Sequence, residues 1–409
     1  MVIHQMDVKT AFLNGELTEE IFMVQPEGYE AGENLVCRLQ RCLYGLKQAS
    51  RAWNERFHNF VKKQLKFERS KNDQCLYVWK SDKGTVLMVI YVDDIVVAGS
   101  SLKLVETVKR CLANEFEMTD GGEIRCFLGL RIDRDVKNGS MRISQKQYLQ
   151  DMLKRFKMDD CKPISTPMEN RLKLHHGEEK NRTTQPYREL IGCLTYAAMT
   201  TRPDLAASVN FFSQYQSCPT DLHWAYLKRI LRYVKGSLDV GLVYQRNPNA
   251  VAVEVYCDAD WANDVADRRP VSGAIFKVFG CTAAWITRKQ QTVSLSSTEA
   301  ELAALCVAAC HEQWLVRLIR DLGYDPGEPV VFFEDNQSSM RIAEESKDFG
   351  RLKHVDVKFH YLRDLVRQKK IVLQYITTVD QQADMMTKSL PVLAFRKHCA
   401  GVGLANSSG

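Results

Sequence analysis

The 409-residue sequence has no apolar run that approaches the ~20 residues needed to cross a bilayer, so it offers no membrane span by that pattern. From Met1-Val2-Ile3-His4 onward it lacks the charged and apolar regions of a signal peptide. Patterned cysteine is missing too. The thirteen cysteines are scattered, form no C-x-x-C pair, and leave Cys37/Cys42 and Cys306/Cys310 without matching His or Cys partners. This argues against zinc, and the thiols read as reduced core filler of an intracellular protein. Nor is charge lopsided: 56 Lys+Arg stand against 50 Asp+Glu, a net +6 with a pI of about 8.6. That excess admits a polyanionic partner without requiring one. The length suffices for two or three domains with real cores.

The most informative stretch is Thr85 to Ser100, where an apolar, β-branched run reaches Tyr91-Val92, breaks at Asp93-Asp94 and resumes through Ile95 to Ala98. Two strand-like runs around a two-residue polar break predict a hairpin with both carboxylates at its tip. Adjacent aspartates repel, and a hard divalent cation would relieve that repulsion while leaving positions open for phosphate oxygens. An ordinary surface turn is the alternative. The tetrad Tyr91-Val92-Asp93-Asp94 resembles the metal-binding hairpin of reverse transcriptases.

Upstream, Val2 to Val8 alternates weakly and leads into Lys9-Thr10-Ala11-Phe12-Leu13-Asn14-Gly15, a strand running into a turn with Asp7 at its end. The string M-D-V-K-T-A-F-L-N-G is similar to the first catalytic motif of copia-type retrotransposon reverse transcriptases. The resemblance implies that Asp7 joins Asp93 and Asp94, and that Phe12 lies under the nucleotide sugar; a core phenylalanine is the other reading. Leu43-Tyr44-Gly45-Leu46-Lys47-Gln48 matches the family's second signature, which implies that Tyr44, Gly45 and Gln48 frame nucleotide and template. Ser50 to Lys66 reads as an amphipathic helix with Trp53, Phe57, Phe60, Val61 and Leu65 inside and a basic outer face.

Leu102 to Phe116 predicts another helix, Asp120-Gly121-Gly122 a turn, and Cys126 to Ile132 a strand. Phe127-Leu128-Gly129 resembles the primer-grip hairpin, with an Asn-Gly tip at Lys137 to Ser140. Ser144 to Phe156 suits a thumb helix. The polar, proline-bounded stretch from Cys161 to Pro186 reads as a linker with His175-His176 solvated. Leu222 to Lys235 sets Lys228, Arg229, Arg232 and Lys235 beside Trp224, Tyr226 and Tyr233, either a backbone-tracking stripe or a solvated face over an ordinary core.

From Val251 the pattern turns to strands, and the order β-β-β-α-β-α with acids at strand ends is that of ribonuclease H. The resemblance assigns Asp258, Glu301 in S-S-T-E-A-E-L, Asp335 in E-D-N-Q and Asp384 in A-D-M-M-T-K. Four carboxylates suit two magnesium ions on a scissile phosphate. Ser296-x-x-Glu299 is a capping box that competes for Glu299, and Thr298-x-x-Glu301 also fits one. Asp260 and Asp267 read as solvated turn acids. His354 and His360 match a family string but acquire no chemistry, and a helix-surface or core role is the reading for both.

The expected fold is therefore α+β: reverse-transcriptase palm and thumb over 1–160, a linker at 161–186, a helical connection at 187–248, a ribonuclease H-like α/β domain with a mixed sheet at 249–395, and a tail at 396–409. The resemblance implies RNA-directed DNA polymerase and ribonuclease H activities. It implies two magnesium ions in each site (manganese as the substitute ion), held by Asp7, Asp93 and Asp94 and by Asp258, Glu301, Asp335 and Asp384. The implied partners are RNA template, DNA primer, RNA·DNA hybrid, deoxynucleotide triphosphates and other Pol products, with no membrane. The implied location is the cytoplasm, in virus-like particles, and the nucleus. No D-T-G or D-S-G protease triplet and no integrase-like region is found. The family's fingers segment precedes the first motif, so it is expected to be missing. The chain would then be the carboxyl-terminal part of a polyprotein or a fragment of a decayed element, cleaving hybrid but extending primers poorly. A non-catalytic or ribonuclease H-only nucleic-acid-binding remnant is the rival reading.

Overall fold

The structure is a computed structural model that describes residues 1–261, 269–344 and 356–406, without the side chains of 356–358. It divides into two compact units, Met1–Leu128 with Arg317–Tyr324, and Gly129–Val316 with Asp325–Gly409.

In the first unit the order is β1 (Val2–Val8), a 3-10 turn at Ala11–Asn14, β2 (Phe22–Val24), β3 (Val36–Arg38), α1 (Ala49–Lys63), β4 (Glu68–Arg69), β5 (Leu76–Ser81), β6 (Gly84–Tyr91), β7 (Asp94–Gly99), α2 (Leu102–Glu115), β8 (Met118–Glu123) and β9 (Cys126–Phe127). Strands β4-β5-β6-β7-β1-β8 form one antiparallel sheet in that order. Period-two alternation in β7 buries Ile95, Val97 and Gly99. Against these strands pack Trp53, Phe57, Phe60 and Val61 of α1 and Val105, Val108 and Leu112 of α2, spaced as one helical face each. The Ser101 hydroxyl accepts the Leu104 N–H and starts α2. Asp120-Gly121-Gly122 does not turn the chain: it lies inside β8, where the register against β1 shifts between Gln5 and Met6. Gly122 has φ 66, and a Cβ on Gly121 would fall 2.6 Å from Gln5 Cγ. The glycines permit a bulge that keeps the strand paired. The expected strand from Cys126 to Ile132 is likewise broken, at Leu128 (φ 50) and Gly129 (φ 77).

The second unit runs β10 (Leu130–Asp135), β11 (Ser140–Ser144), α3 (Lys146–Arg155), α4 (Tyr187–Thr200), α5 (Ala206–Ser213), α6 (Asp221–Lys235), β12 (Val240–Gln245), β13 (Val253–Asp260), β14 (Val271–Val278), β15 (Cys281–Lys289), α7 (Ser297–Asp321, assigned to the first unit from Arg317 on), β16 (Val330–Glu334), α8 (Gln337–Glu344), α9 (Asp356–Arg367), β17 (Ile371–Tyr375), α10 (Asp384–Thr387), α11 (Val392–Gly401) and β18 (Leu404–Asn406). β11 pairs with β10 and β12, and β18 extends β12. Helices α3 to α6 share a core that includes Leu149, Leu190, Leu194, Phe212, Leu227 and Leu231. Within it Arg202, fully buried, holds Asp204 at 2.7–3.2 Å, and the Tyr233 hydroxyl donates to the same carboxylate at 2.6 Å. The stretch at 161–186 is packed onto these helices: Met168 is buried, Arg232 donates to the Lys162 carbonyl and Arg229 pairs with Glu169. Two of the basic residues of α6 are thus tied down, and its Trp224 and Tyr233 are core.

The site-bearing sheet has the order β15-β14-β13-β16-β17. β13, β14 and β15 are antiparallel, while β16 lies parallel to β13 and β17 parallel to β16. This mixed sheet, with α7 between β15 and β16, follows the order read from the sequence. By length and composition α7 could cross a membrane, but 56% of its apolar window is buried in the fold, as for a core helix.

Candidate active sites

In the first unit the β1–β7 ladder sets Asp7 directly opposite Asp94. β6 and β7 close with Tyr91 opposite Asp94, so the two-residue turn is Val92-Asp93 and Asp94 already opens β7. The tip is one residue earlier than the expected Asp93-Asp94. Val92 has φ 57, a conformation that a β-branched residue adopts only under constraint. The Trp53 indole N–H donates to the Val92 carbonyl at 2.7 Å, and the Val8 N–H to the Asp93 carbonyl at 2.9 Å. These bonds lock the hairpin against both α1 and β1. Burial first, then the charges of Asp93 and Asp7, raises the Asp94 carboxyl above its ordinary value.

The other expected residues of this unit come from separate stretches, and two of them meet. Cys42 N–H donates to the Gly15 carbonyl at 3.0 Å and Glu16 bridges to Arg41, which carries the Phe12 ring to 4.9 Å from that of Tyr44. Phe12 is half-buried and Tyr44 exposed. Gly45 takes φ 99 with open space where a Cβ would be, so backbone conformation, not crowding, explains the glycine. Gln48 immediately precedes α1 without a side-chain capping bond, and Phe127 ends β9 ahead of the Leu128-Gly129 turn.

The second unit gathers its acids more tightly. Ligand oxygens of Asp258 in β13, Glu301 in α7 and Asp335 just after β16 lie within 4.8 Å of one another, the one such trio identified among the described residues; Asp7, Asp93 and Asp94 are not drawn together so closely. Asp258 and Glu301 are buried, and Glu301 Oε2 has no hydrogen-bond partner. A buried carboxylate oxygen without a donor, beside two more carboxylates, is a donor set for a hard divalent cation, and the residues fit magnesium. Asp384 opens α10, where the Lys388 ammonium lies 2.9 Å from Asp384 Oδ1 and 3.6 Å from Asp258 Oδ2. Burial, then the charges of Asp258, Glu334 and Asp335, pushes Glu301 up to about 11. Burial and the Asp258 charge push Asp384 up to about 7. Burial opposes the Lys388 charge, but Asp258 and Asp384 outweigh it and hold the ammonium above the ordinary lysine value.

Glu299 is engaged elsewhere: its N–H donates to the Ser296 hydroxyl and its carboxylate accepts the Leu295 N–H at 2.7 Å. Asp260 lies at the end of β13 and is not in the trio, and His360 is exposed on α9. Asp267 and His354 fall outside the described residues.

Sequence reading missed the parts that hold these acids. Gln381, fully buried, donates to the Cys257 carbonyl at 2.8 Å and the Phe333 carbonyl at 3.2 Å, and its own carbonyl accepts the Ala383 N–H at 3.2 Å. One side chain thus ties together the backbone beside Asp258, Asp335 and Asp384. Thr387 donates to Asp258 Oδ2, and Thr378 to Asp335 Oδ2 at 2.7 Å. A Cβ on Gly273 would fall 2.7 Å from Met386 Cβ, so this glycine admits α10 against β14; a lone glycine inside a strand was its signal. Glu334, also missed, is fully buried beside Asp335, and burial with the charges of Asp258 and Asp335 raises it well above its ordinary value.

Residues 1–170 match the family described as reverse transcriptase (RNA-dependent DNA polymerase). The chain is 36% identical over 399 residues to the retrovirus-related Pol polyprotein from transposon TNT 1-94 of Nicotiana tabacum, covering 95% of this chain and 30% of that polyprotein. It is 32% identical over 300 residues to a putative transposon Ty5-1 protein of Saccharomyces cerevisiae, covering 72% of this chain and 96% of that one. Among solved structures, the amino-terminal ribonuclease H domain of a Mycobacterium tuberculosis protein, fused to maltose-binding protein, aligns at 14% identity and a TM-score of 0.25, covering 37% of this chain and 98% of that chain. The chain belongs to the reverse-transcriptase family of copia-type retrotransposon Pol polyproteins. It spans 30% of the tobacco relative's length.

Proposed function

We propose that this chain combines RNA-templated DNA synthesis, at a palm-like site in the first unit, with hydrolysis of the RNA strand of an RNA·DNA hybrid in the second. The observation that carries the reading is the buried trio Asp258, Glu301 and Asp335, with one Glu301 oxygen left without a donor. Structural schemes seldom collect buried carboxylates without cations to offset them.

Magnesium bound by Asp258, Glu301, Asp335 and Asp384 would supply Lewis-acid stabilisation of the scissile phosphate and an activated water. The chain's own residues do the positioning. Gln381 fixes the strand ends, Thr387 and Thr378 orient Asp258 and Asp335, and Glu301 is itself buried from bulk water. The 2′-hydroxyl is the feature by which such a site separates RNA from DNA. In the first unit, Asp7 and Asp94 across the ladder, with Asp93 at the hairpin tip, would hold the metals that face a deoxynucleotide triphosphate and a primer hydroxyl. Phe12 on Tyr44 would floor the sugar, with Gly45 and Gln48 beside the template and Phe127, Leu128 and Gly129 beside the primer end.

The test is incubation with a labelled RNA·DNA hybrid and magnesium. The RNA strand should be cut, chelation should stop the cutting, and duplex DNA should stay whole. No metal-dependent cutting of the hybrid would overturn the reading.

A further inference from the structure

Lys388 stands where a purely metal-binding site would have no use for it. Its ammonium sits 2.9 Å from Asp384 Oδ1 and 3.6 Å from Asp258 Oδ2, bridging two acids contributed by different elements. The Lys388 side chain is about a quarter exposed, whereas both carboxylates are buried. The lysine also lines a cavity of about 190 Å³, together with Thr387, Asp260, Lys289 and Phe211.

We propose that Lys388 is a built-in counter-ion of the nuclease site, which divalent metal must displace from Asp258 and Asp384 before that site is complete. This inference rests on the reading of the four acids as metal ligands and deepens it. Carboxylates this close repel one another when no metal neutralises them. One ammonium offsets part of that repulsion and keeps Asp258 and Asp384 near their working positions. The same ammonium competes with an incoming cation for the same oxygens and repels it at short range. When metal arrives, the lysine has the cavity to withdraw into. Its retained charge then complements the scissile phosphate, because two divalent cations already balance four carboxylates. The cost is a weaker hold on metal, and the gain is an empty site that does not unfold itself.

The experiment compares parent, Lys388→Met and Lys388→Arg on the full chain, with manganese as the probe ion. The readouts are manganese affinity, by paramagnetic resonance of free ion, and thermal stability in chelator. Lys388→Met should bind manganese about tenfold more tightly, since a cation at contact distance is removed, and should melt lower than the parent in chelator alone. Lys388→Arg, which keeps the charge, should stay near the parent in both. Unchanged manganese affinity in Lys388→Met would overturn the proposal, as would an equal gain in Lys388→Arg. Asp335→Asn separates the two levels of inference: if it still cuts hybrid, the assignment of the acids fails, whatever Lys388 does. If Asp335→Asn is inactive and Lys388→Met binds manganese no better than the parent, only the counter-ion role fails.

Discussion

Asp7 lies directly opposite Asp94 across the β1–β7 ladder, two acids far apart in sequence made neighbours by strand register. A one-residue slip would turn every side chain of β1 to the other face and take Asp7 from the site. Register is held by the buried Met6 and Val8 on the core side and by Val8 N–H bonding the Asp93 carbonyl.

The hairpin that presents Asp93 stores strain at Val92, whose φ of 57 suits glycine. Val92→Gly should therefore hold or raise stability by about 0.5–1 kcal/mol in urea unfolding, since a partly exposed valine gives up little packing. A loss of more than that would mean that the valine side chain, not the turn, is what the site uses.

Phe12 gives a second check. Phe12→Ala should increase ribonucleotide incorporation, measured by single-nucleotide extension in the polyprotein. It should cost less than the ~3–5 kcal/mol of a fully buried Phe→Ala change, because the ring is only half-buried. Unchanged sugar discrimination with a full core-sized loss would assign Phe12 to packing alone.

Much of this was legible in advance. The seven acids stood in strings with apolar strands or helices beside them, and the β-β-β-α-β-α order could be read from periodicity. The hairpin tip was displaced by one residue because apolar runs cannot say which residue takes positive φ. Asp120-Gly121-Gly122 read as a turn because glycines mark turns and bulges alike; only pairing with β1 separates the two. Residues 161–186 look like a tether by composition, yet Met168 and backbone carbonyls bonded by Arg232 and Tyr215 anchor them, which polarity alone does not reveal. Gln381 left no trace because its role is to bond main-chain carbonyls, which every residue has.

Removing that amide should be costly. Gln381→Leu leaves the Cys257 and Phe333 carbonyls without its donor, and a loss of about 1–3 kcal/mol per unsatisfied buried group is expected in urea unfolding. Manganese affinity should fall with it, since Asp258 and Asp335 lose their common brace. Full affinity at reduced stability would confine Gln381 to the core.

The acids also predict how stability responds to pH. Folding raises Asp384 from 3.8 to about 7 and Glu301 from 4.5 to about 11, so the folded state binds more protons than the unfolded chain. Stability without metal should then be highest below about pH 4 as far as these groups are concerned. It should fall as pH rises through the window up to about 7, where Asp384 ionises, and continue to fall above it as Glu301 does. Magnesium held by the ionised acids, as proposed, should flatten the fall, and its affinity should climb over the same window. Melting temperature against pH, in chelator and in magnesium, reads both; parallel curves would contradict the shared site.

The most direct test of the account is hybrid cleavage by Asp335→Asn beside the parent, at matched fold and saturating magnesium. Asp335 is a partly exposed acid after β16, so the amide should leave folding intact while removing one charge from the trio. The account predicts that Asp335→Asn loses magnesium-dependent cutting of the RNA strand while Asp93→Asn, in the other unit, keeps it. Cutting by Asp335→Asn at the parent's rate would contradict it.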